Sequence, residues 1–141
     1  MLKLEGLTVV VDRVVYQPDI ATPEERPHCF AYFITIHNNS KQTVTIKGRK
    51  WVVNESDGKK TVVEGDGVVG LFPELKPGEE FDYHSFHLFS GPWAVANGSY
   101  LGLIESGQTV VTRIPEFRME VPTNFRERSA FISVIEATGL V

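Results

Sequence analysis

Short apolar runs separated by turn-forming residues divide this sequence, and their spacing restricts the fold more than any other feature. Phe30, Tyr32, Ile34 and Ile36 alternate with other residues, and this period of two places them on one face of a strand. No helical periodicity is visible before residue 122. We therefore predict an all-β sandwich of immunoglobulin or fibronectin-III type, with about seven or eight antiparallel strands.

Local signals predict where these strands bend and turn. Asp12-Arg13 interrupts the first apolar run and indicates a bulge, and a second bulge at Gly48 would direct Trp51 into the core. Asp57-Gly58 favours a type I′ hairpin, because both central residues of that turn need positive φ. Asn97-Gly98 is interpreted as the opening of a further strand that begins at Ser99.

The 141 residues suffice for one domain with its own core. We assign residues 1–122 to the sandwich and residues 123–141 to a C-terminal extension. In the extension, Asn124 and Glu127 have capping-box spacing, which predicts a helix from about Phe125 to Ala137. The β-branched run at 131–135 keeps a strand open as the alternative there.

Charge and cysteine content exclude several classes of function. Fourteen Lys and Arg against eighteen Asp and Glu give a net charge of −4, which disfavours nucleic acid as a partner. The single cysteine, Cys29, has no second cysteine with which to form a disulfide. The N-terminus lacks the continuous apolar run of a signal peptide. We expect a cytoplasmic protein that does not associate with membranes.

Seven segments in this order resemble the ApaG family, over about Val9 to Pro122. They are Phe30-Ala31-Tyr32, Arg49-Lys50-Trp51, Glu64-Gly65-Asp66-Gly67-Val68-Val69-Gly70, Pro73-Glu74-Leu75-Lys76-Pro77-Gly78, Phe81-Asp82-Tyr83, Gly98-Ser99-Tyr100 and Ile114-Pro115-Glu116-Phe117. The resemblance implies a fibronectin-III-like sandwich with an undefined activity, loosely linked to cobalt tolerance and magnesium efflux. Similar domains form the substrate-recognition part of certain F-box proteins and part of a DNA-polymerase-interacting protein.

Gly65, Gly67 and Gly70 form the order G-x-G-x-x-G, which the family resemblance associates with pyrophosphate. A dinucleotide site requires a helix after the glycines, but the residues that follow are β-prone and reach Pro73. A backbone nest for an anion is the alternative, with Lys59, Lys60 and the cluster Lys47, Arg49, Lys50 as countercharge. The favoured interpretation is a strand corner at which the three glycines supply positive φ and close backbone approach.

No catalytic constellation or metal site is predicted. Asp82 and His84 share a face of their strand while His87 lies on the other, so the two histidines cannot chelate one ion without a bulge. Cys29 adjoins an aromatic run, where a buried structural thiol is favoured over a nucleophile. We expect no cofactor and no enzymatic activity.

Aromatic residues near loops favour a protein-interaction domain. Phe72 and Trp93 are the candidate partner-binding residues, and the proline-rich segment 17–28 is a loop that adjoins a partner surface. The alternative function is pyrophosphate or nucleotide-anion binding through the glycine segment, and a hydrolase ranks last. An open edge strand would also permit a homodimer.

Overall fold

The computed structural model describes residues 2–124, so the helix predicted from Phe125 to Ala137 lies outside the described residues. Seven strands have seven residues or more, and two have two residues. In chain order they are β1 (Leu2–Lys3), β2 (Leu7–Tyr16), β3 (His28–Asn38), β4 (Val44–Glu55), β5 (Lys60–Asp66), β6 (Glu74–Leu75), β7 (Glu80–Phe89), β8 (Trp93–Ile104) and β9 (Thr109–Glu120).

The strands form two sheets that pack face to face, which confirms the predicted sandwich. The larger sheet has the order β1-β9-β8-β4-β5, with β6 pairing with one end of β4, and the smaller sheet has the order β2-β3-β7. All neighbours are antiparallel except β1 and β9, which are parallel over two residues. Among residues 2–124 there is no helix with the length and hydropathy needed to cross a bilayer.

Both predicted bulges are present. The pairing of β2 with β3 shifts between Val11 and Arg13, and the pairing of β4 with β8 shifts between Ile46 and Gly48. The second shift places Trp51 on the inner face, where it is buried. A bulge adds one residue to one strand and so changes which residues face the core.

The core lies between the inner faces of the two sheets. Ile34 and Ile36 of β3 are fully buried, and each such side chain stabilises the fold by about 2 to 3 kcal/mol. At the centre, the rings of Tyr32, Trp51 and His87 lie with centroids 4.6 to 4.8 Å apart. Phe117 of β9 contacts all three rings and ties both sheets together.

Two turn predictions are wrong. At Asp57-Gly58 the hairpin forms, but only Gly58 has positive φ (90°), and its N–H donates to the carbonyl of Glu55. This geometry fits a type I turn followed by a glycine, in which Asp57 keeps an ordinary φ. Asn97-Gly98 does not open a strand, since β8 runs through it. A Cβ on Gly98 would lie 2.0 Å from the carbonyl oxygen of Lys50, so glycine is required there by the close approach of β4.

The two sheets end differently on one side of the sandwich. Ring contacts place β7 above β4 and β8, whereas β5 continues the larger sheet beyond β4. Six of the seven β5 residues are exposed. The glycine segment therefore begins on an overhanging edge strand.

Candidate interaction surface

The glycine segment forms a tight two-residue turn. Val68 and Leu71 exchange two backbone hydrogen bonds, of 2.8 and 2.9 Å. Between them Val69 has φ of 45° and Gly70 has φ of 79°, so both central residues occupy the positive region that a type I′ turn requires. The turn type predicted at Asp57-Gly58 thus occurs at Val69-Gly70.

Only two of the three glycines supply positive φ. Gly67 has φ of 63°, and a Cβ there would lie 2.3 Å from the carbonyl oxygen of Leu71. Gly65 has no positive φ and lies within β5, so the prediction is wrong for this residue. Its missing side chain leaves room for the Arg49 guanidinium, whose Nη1 would be 2.7 Å from a Cβ at Gly65.

Hydrogen bonds within the protein use the backbone at the start of this loop. The N–H of Gly67 donates to the carbonyl of Lys47, and that of Val68 donates to the carbonyl of Leu71. Arg49 Nη1 donates to the carbonyl of Asp66 at 2.8 Å and to that of Gly67 at 3.3 Å. No helix directly follows Gly70 in the described chain, because the loop passes through Pro73 into β6. A dinucleotide-type phosphate site on a helix N-terminus is therefore excluded.

The loop presents apolar side chains to solvent. Val69, Leu71 and Phe72 are 49%, 54% and 53% exposed, and we call these three residues the apolar tip. Lys47 Nζ lies 5.7 Å from the centre of the Phe72 ring. Val68 is fully buried and anchors the tip to the core.

A β-branched residue rarely adopts the backbone conformation of Val69. Positive φ brings Cβ towards the backbone and costs an L-residue about 1 to 2 kcal/mol. Glycine or asparagine would fill this position at lower cost. The strain therefore accompanies an exposed apolar side chain at the end of the turn.

The predicted anion-binding residues are divided between the two ends of β5. Lys60 is opposite Asn54, and Gly65 is opposite Arg49, a separation of five residues or about 17 Å along the strand. Lys59 and Lys60 therefore do not adjoin the glycine turn.

The other predicted cations do lie near the glycines. Lys47, Arg49 and Lys50 line a cavity of about 590 Å³ beside Gly65. Glu64 and Asp66 line the same cavity, and Glu64 forms a 3.6 Å ion pair with Lys50. The local charge in this cavity is mixed.

The two predicted partner-binding aromatics lie at opposite ends of the larger sheet. Trp93 begins β8, is half-buried, and carries the Arg118 guanidinium 4.4 Å from its ring centre. Phe72 lies near Lys47, next to Gly48, which pairs with Leu101 about 26 Å from Trp93 along β8. A single compact binding surface therefore does not include both residues.

The remaining candidate residues are dispersed. His84 is exposed on the outer face and stacks on Phe33. His87 lies in the core, and burial lowers its pKa to about 4. Cys29 is buried, and desolvation raises the pKa of its thiol. Among residues 2–124, no three His, Cys, Asp or Glu side chains converge as metal ligands would.

Sequence reasoning missed the position of Arg49. Its side chain is half-buried on the inner face beside Trp51. Among residues 2–124, no carboxylate oxygen lies within 4.0 Å of its guanidinium. The bulge predicted at Gly48 changes which residues of β4 face inward, and this could have placed Arg49 on the inner face. The pairing of Arg49 with Gly65 could not be predicted, because it depends on the register between two strands.

Comparison with known proteins gives one consistent family. The family model described as ApaG domain matches residues 18–102. The chain is 43% identical to Protein ApaG of Vibrio cholerae over 107 residues, which are 76% of this chain and 85% of that protein. It is 37% identical to Protein ApaG of Salmonella heidelberg over 109 residues, 77% of this chain and 87% of that one.

A solved structure of a similar protein has the same fold. The putative ApaA protein from Bordetella pertussis superposes with a TM-score of 0.77 at 31% identity, covering 87% of this chain and 99% of that chain.

Proposed function

Since this chain belongs to the ApaG domain family, whose biochemical role is undefined, we propose that it is a non-catalytic protein-interaction domain that binds its partner through the apolar tip. The observation that carries this proposal is the exposure of Val69, Leu71 and Phe72 on a turn fixed by Val68. The family assignment itself does not specify a partner or an activity.

An exposed apolar cluster on a rigid support is typical of a recognition site. Val69, Leu71 and Phe72 are close together in sequence on one turn, and Val62 and Val63 of β5 are exposed on opposite faces of the edge strand. Contiguous exposed apolar surface is uncommon on monomeric domains and marks sites of macromolecular contact. Phe72 is the side chain best suited to anchor a partner, because aromatic residues dominate the binding energy of interfaces.

The strain at Val69 supports the same interpretation. A position with positive φ on an exposed turn would be more stable with asparagine or glycine. Strain in an exposed segment is retained most often where it serves a function. We infer that Val69 is kept for its side chain and not for its contribution to stability.

Capture of a partner from an extract of the source organism tests this function. The intact chain, Phe72→Ser and Phe86→Ser are immobilised at equal density. Phe86 is a matched control because it is 45% exposed on the outer face of the other sheet. We expect a specifically retained protein to be lost with Phe72→Ser and kept with Phe86→Ser. Equal retention by all three proteins would refute the assignment to the apolar tip.

Anion binding is the second candidate function, and the cavity beside Gly65 favours it. Lys47, Lys50 and Ser99 line that cavity, which gives cationic and hydroxyl groups that suit a phosphate, whereas the Arg49 side chain lies on the opposite, inner face of β4. Titration with inorganic pyrophosphate is expected to shift the amide resonances of Gly65, Gly67 and Gly70. Shifts confined to Lys59 and Lys60, or no shifts at all, would remove this candidate.

We place the domain in the cytoplasm because its buried cysteine is free, and fluorescence of a tagged chain at native expression level would test this location.

The link to cobalt and magnesium remains a prediction from the family resemblance. Growth of a deletion strain with the intact gene or Phe72→Ser, across cobalt concentrations, is the corresponding test.

A further inference from the structure

The smaller sheet lacks a strand above β5. The larger sheet extends one strand beyond β4 on this side, whereas the smaller sheet ends at β7. Sheets of a sandwich pack about 10 Å apart, with strands about 4.8 Å apart within a sheet. A fourth strand beside β7 would therefore cover the inner face of β5, and we call this open position the edge slot.

The open edge of β7 is suited to pairing with another strand. β7 pairs with β3 over ten consecutive residues without a register shift. Its sequence contains no proline or lysine, residues with which proteins commonly protect edge strands, and its charged residues Glu80 and Asp82 lie on the outer face of the sheet. Within residues 2–124 no other strand pairs with β7, so its outer backbone groups are available for β-augmentation.

The floor of the edge slot combines an apolar position with a cationic one. Residues directly opposite in an antiparallel pair share a face, so Val63 and Gly65 lie on the inner face with Trp51 and Arg49. Val63 is 43% exposed there, and Gly65 leaves the Arg49 guanidinium uncovered by a side chain.

The Arg49 guanidinium forms hydrogen bonds but no ion pair within the described residues. Two carbonyls accept from its Nη1, and no carboxylate of the described residues pairs with it. The hydroxyls of Tyr83 and Tyr100 hydrogen-bond to each other nearby. Burial raises the pKa of both tyrosines, so both hydroxyls stay neutral. A half-buried arginine is strongly complementary to a carboxylate, which it can bind with two parallel hydrogen bonds.

We propose that the edge slot binds an extended acidic peptide segment, which pairs with the open edge of β7 and places an Asp or Glu carboxylate on Arg49. This inference goes beyond the proposed function, because it concerns a second surface of the domain that does not include the apolar tip. Alternate residues of a strand share a face, as Val63 and Gly65 do. The peptide therefore presents a β-branched residue to Val63 and its acid, two positions away, to Arg49.

Selection from a display library of random peptides of about twelve residues, long enough to pair along all ten residues of β7, tests this inference. The full chain and Arg49→Met are used as parallel targets, with Arg49→Lys as the conservative variant. We expect the intact chain to enrich peptides with an Asp or Glu two positions from a β-branched residue. Arg49→Met should enrich no acid at that position, and Arg49→Lys should keep part of the enrichment.

A synthetic peptide of the enriched sequence then provides the quantitative measurement. Replacement of its Glu by Gln should weaken binding to the intact chain about tenfold or more and should not change binding to Arg49→Met. Amide resonances of β7 and of Val63 should shift on binding. Near-ultraviolet circular dichroism, which reports on the packing of the tryptophan and tyrosine side chains, establishes that the Arg49 variants are folded.

Several outcomes would overturn the inference. One is a selection that enriches no peptide, or only peptides without Asp or Glu. The others are amide shifts on binding that lie outside β7 and Val63, and an Arg49→Met variant that still binds the Glu peptide more tightly than the Gln peptide. A dimer in light scattering that Val63→Lys dissociates would instead assign the edge slot to a second copy.

The outcome for the edge slot is separable from the outcome for the apolar tip. Phe72→Ser should bind the synthetic peptide as the intact chain does. Failed peptide selection combined with Phe72-dependent capture would refute the edge slot alone.

Discussion

Acidification should destabilise this domain through His87, whose ring nitrogen Nε2 is buried in the core. His87 lies among the rings of Tyr32, Trp51 and Phe117, and its Nε2 is buried without a hydrogen-bond partner in the described chain. Desolvation lowers its pKa from the ordinary value of 6.5 to about 4. The unfolded chain therefore binds a proton that the folded chain does not, between these two pH values.

The magnitude follows from the two pKa values. Because the folded pKa is depressed, stability is highest above pH 6.5 and falls as the pH decreases towards 4. The loss from His87 is about 2 kcal/mol at pH 5 and approaches about 3 kcal/mol below pH 4. Domains typically have a free energy of unfolding of roughly 5 to 15 kcal/mol, so the loss from His87 is a substantial part of the total.

Urea unfolding followed by tryptophan fluorescence measures this loss at pH 7 and pH 5. We expect His87→Phe, which keeps an aromatic ring, to lose about 2 kcal/mol less than the intact chain between these pH values. Carboxylates titrate in both proteins, so the difference isolates His87. His84→Gln, at an exposed position, should behave as the intact chain. Parallel loss of stability in the intact chain and His87→Phe would refute the assignment.

Two further pairs of substitutions test the packing by urea unfolding. Gly98→Ala should lower the free energy of unfolding by about 3 kcal/mol, because its Cβ would lie 2.0 Å from the Lys50 carbonyl oxygen. Gly58→Ala meets no atom within 4 Å and should lower it by about 1 kcal/mol, because φ is positive there. Equal losses in the two variants would contradict this reasoning. Asn38→Ala should cost about 3 kcal/mol because the buried Asn38 amide donates to the carbonyls of Gln42 and Leu75. Asn39→Ala at the adjacent exposed position should be nearly neutral, and a similar loss in both variants would count against the hydrogen bonds.

Strands were predictable from sequence where burial itself follows a local period. The alternation in β3 gives the inner face directly, and the bulges at Asp12-Arg13 and Gly48 were visible as interruptions of that period. The turns were less predictable because the same dipeptide suits several structures. Asn97-Gly98 has the composition of a turn, yet Gly98 is required by a neighbouring strand that is remote in sequence.

The candidate site depends on features that no local pattern records. The three glycines have unlike roles: two supply positive φ, and Gly65 makes room for Arg49. The opposition of Arg49 and Gly65 follows from the register of β4 and β5. Phe72 was predicted as a partner contact from its place near a loop, but exposure of the whole apolar tip requires knowing that Val68 alone turns inward.

Binding of the captured partner to Val69→Asn, measured alongside the unfolding free energy, tests the central claim most directly. If the glycine turn exists to display apolar side chains, asparagine at this positive-φ position should stabilise the fold by about 1 kcal/mol while weakening partner binding. Partner binding equal to that of the intact chain would contradict the claim, because Val69 would then contribute strain without recognition.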